Sequence, residues 1–85
     1  MKVAYTKAFL KRFDRCESSL QESIIEKIEE FRERKNHKQL KVHKLKGRLS
    51  TFYSFSVDYK TRIVFQYLSK EEVALLSVGD HVIYE

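Results

Sequence analysis

Eighty-five residues with seventeen Lys and Arg, twelve Asp and Glu and a formal charge of +5 are expected to form one small domain spanning residues 1–85. A hydrophobic content of 42% with 13% aromatics argues against disorder, and the absence of Pro with only two Gly excludes collagen-like and low-complexity classes. A lone cysteine, Cys16, excludes a disulfide scaffold and a four-Cys zinc site and fits a reducing, cytoplasmic setting. No apolar run approaches the roughly 18 residues of a membrane span, and the N-terminus has no signal-peptide apolar region, so no membrane partner is expected.

Met1 to Tyr5 alternates Val3 and Tyr5 against Lys2 and Ala4 and reads as a first strand. Thr6 is a plausible N-cap for a helix in which Phe9, Leu10 and Phe13 form one apolar stripe. A second helix opens at Ser18, where Ser18 with Gln21, or Ser19 with Glu22, has capping-box spacing. Leu20, Ile24, Ile25, Ile28 and Phe31 then keep a 3.6-residue period to about Lys35.

The charge surplus follows that helix. From Arg32 to Arg48 there are eight basic residues and one acid, Glu33, so this segment carries +7 and the other 68 residues together −2. A local field of that size suits a polyanion, either nucleic acid or an acidic protein segment.

Gly47 breaks the pattern. Phe52 to Asp58 alternates, with Tyr53, Phe55 and Val57 on one face and Ser54 and Ser56 on the other. Asp58 to Thr61 is a turn without the Gly of a primed hairpin. Arg62 to Leu68 is a strand in which Ile63, Phe65 and Tyr67 share a face. Val73 to Val78 is a near-continuous apolar run, as in a central strand buried on both faces, and Gly79 is expected to end it. The order β-α-α-β-β-β implies an α+β domain, a mostly antiparallel sheet with two N-terminal helices on one face.

The chemistry-bearing motifs are few. GxSxG, P-loop, CxxC and HExxH patterns are absent, and His37, His43 and His81 lack a zinc spacing, so neither a metal nor a cofactor is called for. Cys16 reads as a small hydrophobe and Glu29, Glu30 and Glu33 as a solvated helix face. What remains is Arg62, His81 and Tyr84, which antiparallel pairing would bring together, with His43, Lys44 and Lys46 leading to the same face. A cationic cluster with His and Tyr suits metal-independent RNA cleavage, because the ribose 2′-hydroxyl is an internal nucleophile. The protein then has to move two protons and stabilise the charged transition state.

Three stretches, HKLKGRLSTFYSFSV (43–57), YKTRIVFQY (59–67) and LLSVGDHVIYE (75–85), together resemble the RelE/ParE superfamily of bacterial toxin–antitoxin toxins over nearly the whole chain. The resemblance implies the RelE-like microbial RNase fold and a ribosome-dependent mRNA endonuclease held inactive by a cognate antitoxin, with ribosome and mRNA as further partners. On matching positions it implies that Arg62 contacts the scissile phosphate, that His81 is the acid or base, and that Tyr84 orients or stacks on a base. Lys41, His43, Lys44, Lys46, Arg48 and Lys60 are the expected RNA-binding set. The basic pair that RelE carries on the strand before Arg62 is replaced here by Ser54 and Ser56 or their aromatic neighbours. The rival readings are a ParE-like gyrase poison, which shares the fold and needs no catalytic residues, and a non-catalytic toxin homologue that only binds its antitoxin.

Overall fold

The computed structural model describes residues 1–47 and 51–80. The elements are β1 (Lys2–Tyr5), α1 (Lys7–Asp14), α2 (Ser18–Phe31), a single 3₁₀ turn (Arg34–Asn36), β2 (His43–Lys44), β3 (Tyr53–Ser56), β4 (Thr61–Ser69) and β5 (Glu72–Asp80). The sheet runs β1-β5-β4-β3-β2. Its pairings are antiparallel except β1 with β5, which is parallel. The fold is therefore α+β with a mostly antiparallel sheet, and the apolar strand β5 lies between β4 and β1 as its composition suggests.

Both helices cover one face. Phe9 of α1 and Ile24, Ile28 and Phe31 of α2 join Phe55, Ile63, Phe65, Val73, Leu75 and Val78 from that side of the sheet in the core. Phe31 is its centre. Its ring stacks on Phe55 at 4.3 Å and on the His37 imidazole at 4.8 Å, and meets Phe65 edge-on. Thr6 caps α1 as expected: its hydroxyl accepts from the Phe9 amide and donates to the Leu75 carbonyl at 2.7 Å, tying the helix to β5.

Four sequence expectations change. The cap of α2 is Glu17, with no side-chain bond, so neither capping box forms. Gln21 instead donates to the Phe13 carbonyl at 2.9 Å and joins the two helices. The helix also stops at Phe31, short of Lys35, because its last carbonyls find other donors: Asn36 reaches Glu30 and the His37 ring reaches Phe31. Residues 32–35 are good helix formers, but these two side chains close the end from outside it. Next, β5 runs through Gly79, which pairs with Arg62, so Gly79 does not end the strand. Finally, Leu10 and Ile25, each in an expected apolar stripe, are 43% and 54% exposed.

The chain then turns from the 3₁₀ segment into β2 through a Schellman motif. Val42 N–H bonds the His37 carbonyl and Lys41 N–H the Lys38 carbonyl, with Lys41 at φ 59°. A lysine in this left-handed conformation is strained where Gly is not. Lys41→Gly should stabilise the protein by about 0.5–1 kcal/mol in urea unfolding. An unchanged or lowered midpoint would show that the Lys41 side chain has a compensating structural role.

Candidate functional site

Helices cover one face of the sheet, and the register defines what stands on the other. Directly opposed residues share a face. Across the strands, His43 opposes Ser54, Ser54 opposes Val64, and Val64 opposes Ser77, which makes one row on the side away from the core cluster. Two residues along, Ser56, Arg62 and Gly79 make the next. Arg62 therefore stands on the helix-free face at the start of β4, beside a residue with no side chain.

Arg62 is held there. Its guanidinium donates to the Ser56 hydroxyl across the β3–β4 pair, and the residue is only partly buried. Among the described residues Ser56 is the hydrogen-bond partner of the guanidinium, which carries five donors. The pairing depends on the turn before it. Asp58 Oδ1 accepts from the Lys60 amide at 2.9 Å and the Thr61 amide at 2.7 Å, while Val57 N–H reaches the Thr61 carbonyl at 2.8 Å. Desolvation pushes the Asp58 carboxyl up, but the Lys60 and Thr61 amides, the Thr61 hydroxyl and the Lys60 charge together hold the group below the ordinary range.

A lowered carboxyl pKa makes the turn sensitive to acid. The stabilisation is complete above the unfolded value, about 3.9, and is lost as pH falls through the lower folded value. Asp58→Ala should cost about 1 kcal/mol at neutral pH, as for one exposed charge-assisted hydrogen-bonding group. Urea titrations of the two proteins should converge below about pH 4. A gap that persists at strongly acid pH would assign the loss to something other than the carboxylate.

His43 is the second group on this face. Its Nδ1 lies 2.8 Å from the Lys41 carbonyl. A carbonyl oxygen only accepts, so Nδ1 carries the hydrogen and Nε2 of the neutral ring offers a lone pair. The exposed imidazole is thus set in the tautomer of a base. His43 and Arg62 are two strands apart and two residues along, about 12 Å between backbones. That gap suits two side chains reaching toward one phosphodiester. Between them lies Ser54, 1% exposed, whose hydroxyl has no hydrogen-bond partner among the described residues.

The other expected residues are distributed more widely. Lys44 opposes Tyr53, so the register directs it to the opposite face from His43. Lys41 and Lys46 are exposed on either side of β2, and Lys60 is exposed in the β3–β4 turn. Arg48, His81 and Tyr84 lie outside the described residues. The basic segment is also partly neutralised: Arg32 pairs with Glu29 at 3.0 Å, and Arg34 with Glu71 at 3.6 Å and with the Lys70 carbonyl. His37 is committed to Phe31, by ring stacking and by its bond to that residue's carbonyl. Cys16 donates its thiol to the Arg12 carbonyl, and burial pushes its pKa up, the opposite of an activated nucleophile. Among the described residues no three metal-ligating side chains gather, and no helix is long and apolar enough to cross a membrane.

A second surface has no counterpart among the sequence expectations. Tyr5, Phe9, Leu10, Phe13, Ile25 and Ile28, with Glu29 among them, line a groove of about 230 Å³ between α1 and α2. Leu10, Ile25 and Tyr5 are its exposed apolar members. The sequence signal lies in Leu10 and Ile25, the residues that widen each helical stripe, but pattern alone assigns such residues to the core.

No protein-family model matches the chain, and no curated protein does. Solved structures match its fold. A conserved hypothetical protein from Helicobacter pylori superposes with a TM-score of 0.72 at 24% identity, with 96% of each chain covered. The toxin–antitoxin complex RelBE2 from Mycobacterium tuberculosis matches at 0.73 and 14% identity, covering 93% of this chain and 95% of the other. The Escherichia coli RelBE toxin–antitoxin complex matches at 0.69 and 23% identity, covering 93% and 94%. The chain thus has the fold found in RelE-type toxins.

Proposed function

We propose that this chain is the toxin of a type II toxin–antitoxin pair, a metal-independent endoribonuclease that cuts mRNA on the ribosome and so stops translation. The observation that carries the reading is the helix-free sheet face, where Arg62 is tethered by Ser56 and His43 is set with Nε2 as an acceptor. The shared fold with RelE-type toxins, solved with their antitoxins, supports the toxin role and an antitoxin partner.

In the proposed reaction the ribose 2′-hydroxyl attacks the adjacent phosphorus. His43 Nε2 takes its proton as the P–O2′ bond forms, and Arg62 holds the non-bridging oxygens as negative charge builds on them. The P–O5′ bond breaks, and the 5′-oxygen takes a proton from an acid; the resemblance makes His81 either acid or base, and with His43 as the base we give His81 the acid role. The products are a 2′,3′-cyclic phosphate and a 5′-hydroxyl. Tyr84 is proposed to orient the base. Lys41, Lys44, Lys46, Arg48 and Lys60 supply the surrounding positive field, the described lysines from either side of the sheet edge rather than as one strip. The apolar groove between α1 and α2 is the proposed seat of the antitoxin, since a toxin waiting for its partner exposes that surface.

Primer extension on mRNA from cells expressing the protein tests this directly, with a gyrase supercoiling assay beside it. Cuts within translated codons that require ribosomes are expected. Intact mRNA with trapped, cleaved DNA complexes would overturn the nuclease in favour of the gyrase poison, and intact mRNA and DNA with antitoxin still bound would favour the non-catalytic homologue.

A further inference from the structure

We propose that Tyr59 is a stacking platform for an RNA base beside the cleavage face; the inference rests on the RNA-binding reading above. Tyr59 is 90% exposed, far more than any other large hydrophobic side chain among the described residues. Among those residues Tyr53 and Tyr67 pack against Phe65, and Tyr5 against Phe9. The Tyr59 ring touches no other ring among them. A single exposed aromatic is ordinary on a protein surface, and three further features distinguish this one.

The first is its rigidity. Tyr59 sits at the tip of the β3–β4 hairpin, between Asp58 and the two amides that Asp58 holds, with the Val57–Thr61 bond closing the turn beneath it. An aromatic presented on a fixed backbone loses little freedom when it meets a flat partner. The second is its position. Arg62 is three steps along the chain, at most about 11 Å away, so a base next to the phosphate held by Arg62 is within reach. The third is charge: Lys60 is exposed beside it, and the adjacent acid, Asp58, is engaged with backbone amides. An exposed ring flanked by an exposed lysine and an arginine is the pairing of stacking and electrostatics that single-stranded RNA recognition uses.

The base has two sources, mRNA or ribosomal RNA, and their shared chemistry is an unpaired nucleobase. Equilibrium binding to ribosomes programmed with a defined mRNA, and to the same ribosomes without mRNA, tests the proposal and separates them. Tyr59→Leu, which keeps apolar bulk and removes the π face, should weaken binding about 5- to 150-fold, and Tyr59→Phe should stay within about twofold of wild type. Loss only on programmed ribosomes assigns the base to mRNA, and loss on both assigns it to the ribosome. Stacking releases no counterions, so Tyr59→Leu should leave the salt slope of log K unchanged, whereas Lys60→Ala should reduce it by about one.

Wild-type affinity in Tyr59→Leu, equal losses in Phe and Leu, or a changed salt slope in Tyr59→Leu would each overturn the platform. If Arg62→Ala weakens binding while Tyr59→Leu does not, the platform alone fails. If the wild-type protein does not bind ribosomes, the RNA reading fails and the platform with it.

Discussion

Arg62→Ala should lower the rate of mRNA cleavage by about 10²–10³, the usual loss when one donor to a developing oxyanion is removed. The fold should survive. Arg62 stands on the helix-free face, outside the core cluster, and its side chain is tethered by the Ser56 hydroxyl. Urea unfolding of the variant should therefore shift by about 1 kcal/mol or less. Arg62→Lys keeps the charge but loses the planar fork that, in the proposed reaction, would serve Ser56 and two phosphate oxygens at once, so it should recover only a small part of the rate. Ser56→Ala should fall between wild type and Arg62→Ala, since it frees the guanidinium without removing it. Undiminished growth arrest by Arg62→Ala would remove phosphate stabilisation by this residue from the mechanism and favour the gyrase reading.

His43→Ala should cost about 10²–10⁴ in cleavage rate, the range for a positioned general base. The split between kcat and KM distinguishes a base from a group that merely binds RNA. Loss of a base should lower kcat, whereas loss of an RNA contact should raise KM and leave kcat in place. A His43→Gln protein with the full kcat would return the base to another residue. In the His43 variant antitoxin binding should persist, because His43 does not line the groove between α1 and α2.

Much of the fold is legible locally. Thr6 caps α1 because a threonine oxygen beside an apolar periodic stretch needs only its own next turn to bond. The run VALLSV marks β5 as central, because continuous apolar character has no other home in a small domain than between two strands. The end of α2 is different. Residues 32–35 favour helix, and the terminus is decided by Asn36 and His37 folding back onto carbonyls of the last turn. The capping boxes fail for a related reason, since Gln21 is used between helices rather than within one. A two-residue strand such as β2 has too few residues to show a period at all, and exists through its partner β3.

The site divides along the same line. Residue types and their order are local facts: an arginine opening a strand, serines alternating with aromatics before it, a concentrated basic segment and its histidines. Those determined the chemistry on offer. Which of them meet was decided by register, because a strand displaced by one residue turns every side chain to the other face. The Asp58 turn sets Ser56 opposite Arg62, and the pairing of β2 with β3 puts His43 on Arg62's face while sending its neighbour Lys44 to the other. Adjacent basic residues are equivalent in a composition and opposite in a sheet. Only the hydrogen bonds between strands, formed by residues well separated along the chain, could tell them apart.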